Sequence, residues 1–275
     1  KHNKKVFLGA FGMDYYWVHE NITRMPLRYS DFNIGNRLRN DEPAMRERRD
    51  WIGTAKESLN KMIAEDCDGI IAGLYEYWAC YGPLFPHKTT FIPFPIKPKT
   101  QPMAYQEGSA PHPLRLFIGI SKGRSAYKGT DIMLEAAQAI KTKYPHLVEL
   151  RIAEGVPFNQ YTQMLNGSAA ILDQLYSYTP SMNPLEAMSR GIICVGGGEP
   201  ENYDILGDND LRPIINVEPT RESVYNALEW MATHLDEMPR LQAESIAYTE
   251  RYHHYVKVAQ QYLDFYQSSS GATPK

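Results

Sequence analysis

Apolar residues in this chain fall into short continuous runs followed by runs spaced three and four apart, the pattern of buried strands leading into amphipathic helices. Residues 4–12, KKVFLGAFG, read as a strand entered almost at once. TAKESLNKMIAEDC reads as a helix capped by Thr54, with Leu59, Met62 and Ile63 at helical spacing. DGIIAG is a short buried strand, YEYWACYG a compact helix stopped at Gly82 and Pro83, and TTFIPFPI a closing strand. From 97 to 113 Pro, Lys, Gln and Gly replace aliphatic residues, the composition of a linker.

The alternation resumes with LRLFIGI as a strand and a helix starting at Thr130 or Asp131, apolar at Ile132, Leu134, Ala137 and Ile140. VELRIAE and AAILDQL read as further strands, separated by a helical PFNQYTQMLNGS. In YSYTPSMNPLEAMSRGIICVGGGEPE (176–201), Asn183, Pro184 and Glu186 are spaced as N-cap, first and third helical residues. That helix is expected to run to about Arg190 and stop at Gly191, with IICV following as a buried parallel strand. The glycines at 196–198 let the backbone approach a ligand closely at the strand's end. Residues 201–207 read as a short helix, RPIINV as a strand, and TRESVYNALEWMATHL as an amphipathic helix. The tail from about Pro239 to Ser268 is helical and aromatic, and SSSGATPK should be disordered. Strands alternating with helices throughout predict an α/β fold with doubly wound parallel sheets, whose ligands sit beyond the strands' C-terminal ends.

Composition narrows the functions. At 275 residues the chain can bury one large core or two ordinary ones. A net charge of −3 gives no bulk attraction for nucleic acid. Cys67, Cys80 and Cys194 form no metal-ligand spacing, and their odd count gives no disulfide framework, so a reducing, cytoplasmic setting is expected. No apolar run reaches the roughly 20 residues of a membrane helix. The run 37–50 mixes five arginines with four acids and reads as a solvated face, although it could meet anionic lipid. His19, a candidate acceptor-side base, sits in an aromatic segment that reads as packing, and His253 and His254 are adjacent and share no helix face.

Candidate chemistry gathers in two places. Between the LRLFIGI strand and its helix lie Lys122, Gly123, Arg124, Lys128 and Gly129, a loop whose fixed cations suit a leaving diphosphate. The helix start near Asn183 also favours phosphate, because free amides and the helix dipole point positive charge there. Asp208, Asn209 and Asp210 spell a metal-binding Asp-x-Asp triplet, but their polar loop after Gly207 reads as a turn, so we expect no metal and no cofactor.

The run MNPLEAMSRGIICVGGGEPE resembles the LEAMA-x-G-x-P-V-V segment of glycosyltransferase family 4, retaining sugar transferases of the GT-B fold. The resemblance implies two Rossmann-like domains: a partial N-terminal acceptor domain over 1–96, the linker over 97–113, and a donor domain over 114–250. The last part, 251–275, would be a helix returning toward the first domain and a tail. Part of the N-terminal domain is expected to be missing. The likeness further implies transfer of a sugar from a nucleotide diphosphate sugar to an acceptor hydroxyl with retention, without metal, in polysaccharide or glycan assembly. Arg124 and Lys128 match the family's cations on the diphosphate; the spacing leaves Lys122 as a rival to Arg124. Gly123 and Gly129 shape that loop, and Glu186 matches the ribose-holding glutamate. Glu154, Gly155 and Val156 would border the base; Ser181, Met182 and Asn183 would hold phosphate or sugar; Gly197, Gly198 and Glu199 would line the pocket. The family's other glutamate, eight residues before Glu186, falls on Tyr178, and Asp173 or Glu199 could stand in for it. Partners would be the nucleotide-sugar and a glycan or lipid-linked acceptor, with peripheral contact at the inner membrane face left open. A nucleotide-sugar-binding module without turnover is the alternative. A sugar epimerase would need an acid/base set not found here, and no G-x-G-x-x-G follows LFIGI to suit a dinucleotide oxidoreductase.

Overall fold

The opening apolar run forms a strand, β1 (Phe7–Ala10), shorter than the hydrophobic stretch suggests. It is described by a computed structural model covering residues 4–98, 113–121, 123, 125–208 and 210–269. The chain divides into two units, one made of residues up to Pro95 together with those from Tyr255 onward, the other of Ile96–His254. Apart from residues 97, 98 and 113, the expected linker lies outside the described residues, as do Lys122, Arg124, Asn209 and the last six positions.

In the first unit β1 leads to α1 (Tyr15–Thr23), capped by Asp14, whose side chain accepts from the Trp17 amide. A hairpin of β2 (Asn33–Ile34) and β3 (Arg37–Leu38) turns at Gly35, φ +56°, and is held by Ser30 and Asn33 side chains. The mixed-charge run forms α2 (Glu42–Trp51), whose Arg49 pairs with Glu42. Next come α3 (Ala55–Asp66), β4 (Gly69–Ala72), α4 (Tyr75–Tyr81) and β5 (Thr89–Phe91). Thr54 occupies the N-cap of α3 without a side-chain capping bond; its hydroxyl bonds the Asp50 and Trp51 carbonyls instead. The sheet is parallel in the order β1-β4-β5. Pro93 and Pro95 confine β5 to three residues, because proline cannot donate to the ladder. Leu59 and Met62, which set the helical period of α3, are half exposed.

The second unit opens with β6 (Leu114–Ile120), α5 (Ser125–Lys128), α6 (Thr130–Lys143), β7 (Val148–Glu154) and α7 (Phe158–Leu165). It continues with β8 (Ala170–Leu172), α8 (Met182–Met188), β9 (Ile193–Val195) and α9 (Pro200–Leu206). The cationic loop is therefore not plain loop: its second half is the single turn α5. The four strands are parallel in the order β7-β6-β8-β9. Helix α6 and the later α10 (Arg221–Thr233) pack together over a core that includes Leu116, Met133, Ile140, Ile193 and Leu228. The expected strand RPIINV does not form: only Ile215 makes one bridge, to Val195, while Ile214 and Val217 are simply buried. Pro213 removes a ladder donor there. After Gly207, φ +67°, the Asp208 carboxylate accepts from the Asp210 and Leu211 amides, a side-chain-closed turn.

The tail is helical in three pieces, α11 (Met238–Tyr248), a π-helical turn Thr249–His253, and α12 (Tyr255–Ser268). Helix α12 belongs to the first unit, where Val258 is buried with Ile71 and Ile92 and where Phe265 lies against Phe7. A Cβ on Gly69 would stand 2.6 Å from Phe265, so that strand position must stay bare for the helix to seat. All three cysteines are buried free thiols, Cys67 and Cys80 in the first unit and Cys194 in the second.

Candidate functional site

Strand order positions the second unit's site. From β6 the chain crosses to β7 on one side and then to β8 on the other, so the ends of β6 and β8 flank the point where the winding reverses. There the connecting segments part and leave a crevice. A cavity of about 380 Å³ occupies it, floored by Gly119, Ile120 and Ser121 at the end of β6 and by Ala153, Gly155 and Val156 at the end of β7. Its walls are Lys128 from α5, Tyr161 from α7, Asp173 after β8 and Asn183 from α8. Gly119 is needed because a Cβ there would press to 2.9 Å on the Tyr161 ring.

The two loops that carry charge are joined. The Leu175 amide donates to the Lys128 carbonyl at 2.9 Å, and Gly129, φ +72°, lies so close to Leu175 that a Cβ would come within 2.6 Å of its side chain. Lys128 and Asp173 thus face one space from tethered segments, yet no ion pair joins Lys128 to Asp173 or to any other described residue. The Asp173 carboxylate accepts long bonds from Gln174 Nε2, 3.3 Å, and Ser181 Oγ, 3.4 Å. Across the cleft Asn183 Nδ2 donates to Tyr161 Oη at 2.6 Å. Burial pushes the Tyr161 phenol up, and the Asp173 and Glu186 charges add to it against the Asn183 bond; of these two carboxylates Asp173 lines the cavity and Glu186 does not. Next to it a second hollow, about 340 Å³, is bounded by Val156, Phe158, Tyr161 and Asn183, with Phe158 73 % exposed.

Helix α8 begins two residues earlier than its capping pattern predicts. Ser181 takes the N-cap, Met182 is the first helical residue, and Pro184 falls in the first turn, where its missing N–H is not required. Asn183 is therefore not a cap; its amide reaches Tyr161. Glu186 closes no capping box but pairs with Arg190 one turn on. Helix α8 ends at Met188, with Gly191 at φ +77°.

The other predicted site residues divide. Gly123 adopts φ +75° in an exposed turn, and Lys122 and Arg124 lie outside the described residues. Glu154 is exposed at the end of β7, and Met182 is 47 % exposed beside Asn183. Tyr178 is buried at 1 % exposure; its carbonyl accepts from the Glu199 amide at 3.2 Å. Gly197, Gly198 and Glu199 are buried, and none lines the cleft. What the glycines approach is the chain itself: a Cβ on Gly196 would be 2.8 Å from the Gln174 carbonyl oxygen, on Gly197 3.2 Å from Thr179, and on Gly198 2.8 Å from Ile214. No local motif marks Tyr161, Ser121 or Phe158, since only tertiary closure brings them to the cleft and the hollow beside it. Among the described residues there is no group of three or more His, Cys, Asp or Glu fit to hold a metal, and no helix long and apolar enough to cross a membrane.

No family model and no curated protein matches the chain. Solved structures do. A mutant of S. aureus TarM in complex with fondaparinux, alpha-GlcNAc-glycerol and UDP matches at a TM-score of 0.57 and 11 % identity over 77 % of this chain and 47 % of its own. Anabaena HepE, in complex with UDP and glucose, matches at 0.57 and 11 % over 77 % of this chain and 66 % of its own. The catalytic domain of starch synthase IV from Arabidopsis thaliana, bound to ADP and acarbose, matches at 0.53 and 12 % over 76 % of this chain and 57 % of its own. The fold is the GT-B fold. The chain spans about half the length of TarM.

Proposed function

We propose that this GT-B chain binds a nucleotide diphosphate sugar in the second unit's cleft and transfers the sugar to an acceptor hydroxyl with retention. The observation that carries the reading is the polarity of the cleft at the reversal point: a Lys128 ammonium with no ion pair among the described residues on one wall and the Asp173 carboxylate on another. Such a cavity suits a ligand that is anionic at one end and rich in hydroxyls at the other. A unit charge pair 4 Å apart is worth about 4 kcal/mol at a surface-like effective dielectric of 20, so phosphate is drawn to Lys128 and repelled from Asp173 by comparable amounts. The GT-B structures with bound UDP or ADP support the same class of ligand.

In this reading Lys128, with Arg124 and Lys122 in the same loop, stabilises the departing diphosphate; Gly123 and Gly129 give the loop its shape. Glu186 holds the ribose, the Ser181 to Asn183 segment holds phosphate or sugar, and the strand end at Glu154 borders the base. Asp173 replaces the family's glutamate that is missing at Tyr178 as acceptor for a donor-sugar hydroxyl. A phosphate oxygen of the departing group takes the acceptor's proton on the face it leaves, so no side-chain nucleophile is required. Loop cations do the work of a metal. Gly197 and Gly198 set the bend after β9 against Thr179 and Ile214, and Glu199 follows at the N-cap of α9. The acceptor is a glycan or lipid-linked chain, met in the cytoplasm or at the inner membrane face, in polysaccharide or glycan assembly. Binding without turnover is the second reading, favoured by the burial of Tyr178, which offers the cleft no carboxylate.

Calorimetric titration of UDP-, ADP- and GDP-sugars, with release of free nucleotide followed in parallel, tests both. Binding by the wild type that is weakened about tenfold in Lys128→Ala supports the site; binding unchanged in both Lys128→Ala and Glu186→Ala overturns it. Binding with no nucleotide released, with any of a panel of acceptors, leaves the second reading in place of the first.

A further inference from the structure

Behind the cleft lies a buried cation that this mechanism does not use. Arg190 is 3 % exposed; its Nη2 donates to Glu186 Oε1, its Nη1 donates to Asn166 Oδ1 at 2.8 Å, and its Nε has no partner. Asn166, just past α7, has its own carbonyl held by Arg151 at 2.9 Å, which ties it to the middle of β7. Helices α7 and α8 are thereby joined twice, at the cleft through Tyr161 and Asn183, and behind it through Arg190. A buried ion pair is a poor way to gain stability, because desolvation offsets the attraction and an apolar pair of similar volume does as well or better. A guanidinium with one nitrogen left unsatisfied is poorer still. What such a pair supplies is a fixed direction.

We propose that Arg190 is a positioning residue for the donor ribose: itself held by Asn166, it fixes the Glu186 carboxylate in one orientation. The inference rests on the reading that Glu186 takes the ribose hydroxyls. The step is one of binding alone; no bond is made or broken by Arg190.

The test is calorimetry on the full chain with UDP and with 2′,3′-dideoxy-UDP, and with the matching adenosine pair. Hydroxyls bonded to a carboxylate make the wild type prefer the ribose form by about tenfold or more. Arg190→Met should cut that preference to about twofold while the dideoxy affinity stays within about twofold of wild type. Arg190→Lys should fall between, since one ammonium cannot span both Glu186 and Asn166. Equal weakening toward both nucleotides marks a merely structural residue and overturns the proposal, as does an unchanged preference. If Arg190→Met does not fold, Arg190→Lys and Asn166→Ala carry the same comparison. Glu186→Gln separates the two levels: if it keeps the preference, the ribose reading itself fails; if it abolishes a preference that Arg190→Met retains, only the role of Arg190 fails.

Discussion

Asp14 gives a stability prediction whose sign runs against habit for an acid at a helix N-cap. Its Oδ1 accepts from the Trp17 amide and its Oδ2 from Tyr81 Oη, each at 2.8 Å, and both bonds favour the charged form. Burial outweighs them and pushes its carboxyl up from 3.8 to about 6. Because the folded state holds the proton more tightly than the unfolded chain, stability from this group is fully present below pH about 4 and is lost as pH rises through about 6. At 1.36 kcal/mol per pH unit the whole effect is about 3 kcal/mol, of which about 2 kcal/mol falls between pH 4 and 7. Asp14→Asn removes the titration and keeps a good N-cap, so the comparison isolates the proton. Urea unfolding followed by tryptophan fluorescence suits it, since Trp17, Trp51 and Trp78 lie in the first unit and only Trp230 in the second. The wild type should lose about 2 kcal/mol relative to Asp14→Asn between pH 4 and pH 7. Parallel stabilities across that range, or a wild type that gains on the variant as pH rises, would refute the argument that burial dominates.

Gly196→Ala places a side chain at φ +95° and 2.8 Å from the Gln174 carbonyl oxygen, so it should cost about 1–3 kcal/mol or more in chemical denaturation. Glu186→Ala leaves the Arg190 cation buried without its counter-charge and should destabilise by about 3 kcal/mol, whereas replacing both with apolar residues should recover most of it; thermal melts of the single and double variants check this. Tyr161→Phe removes the acceptor of the Asn183 amide and should weaken nucleotide binding by about 1 kcal/mol without changing the fold, read by calorimetry and circular dichroism.

Long-period features were legible and closures were not. The seven-residue run of β6 and the apolar stripes of α6 and α10 announce themselves, because every residue in them answers to the same buried core. The start of α8 does not, since Asn183 is as good a cap as Ser181 until Tyr161, 22 residues away, claims its amide. RPIINV looks like a strand by composition, yet pairing past Pro213 comes down to one bridge at Ile215. The β2–β3 hairpin was invisible because its two-residue strands carry no period, and side chains of Ser30 and Asn33 set its geometry instead. In the cleft, Lys128 and Asn183 could be named from local motif. The opposition of Lys128 to Asp173 depends on the order of strands across the sheet, which no local pattern encodes.

The sequestered thiols make the molecule its own clock. Burial pushes Cys67, Cys80 and Cys194 all upward in pKa, so each resists alkylation until the chain opens around it. Cys194, whose Sγ donates to the Gly196 carbonyl, sits under the glycine bend, while the other two lie in the first unit. Pulsed labelling with a thiol reagent, resolved by peptide mass, would therefore time the opening of each half separately, with no engineered probe and no disturbance of the ligand cleft.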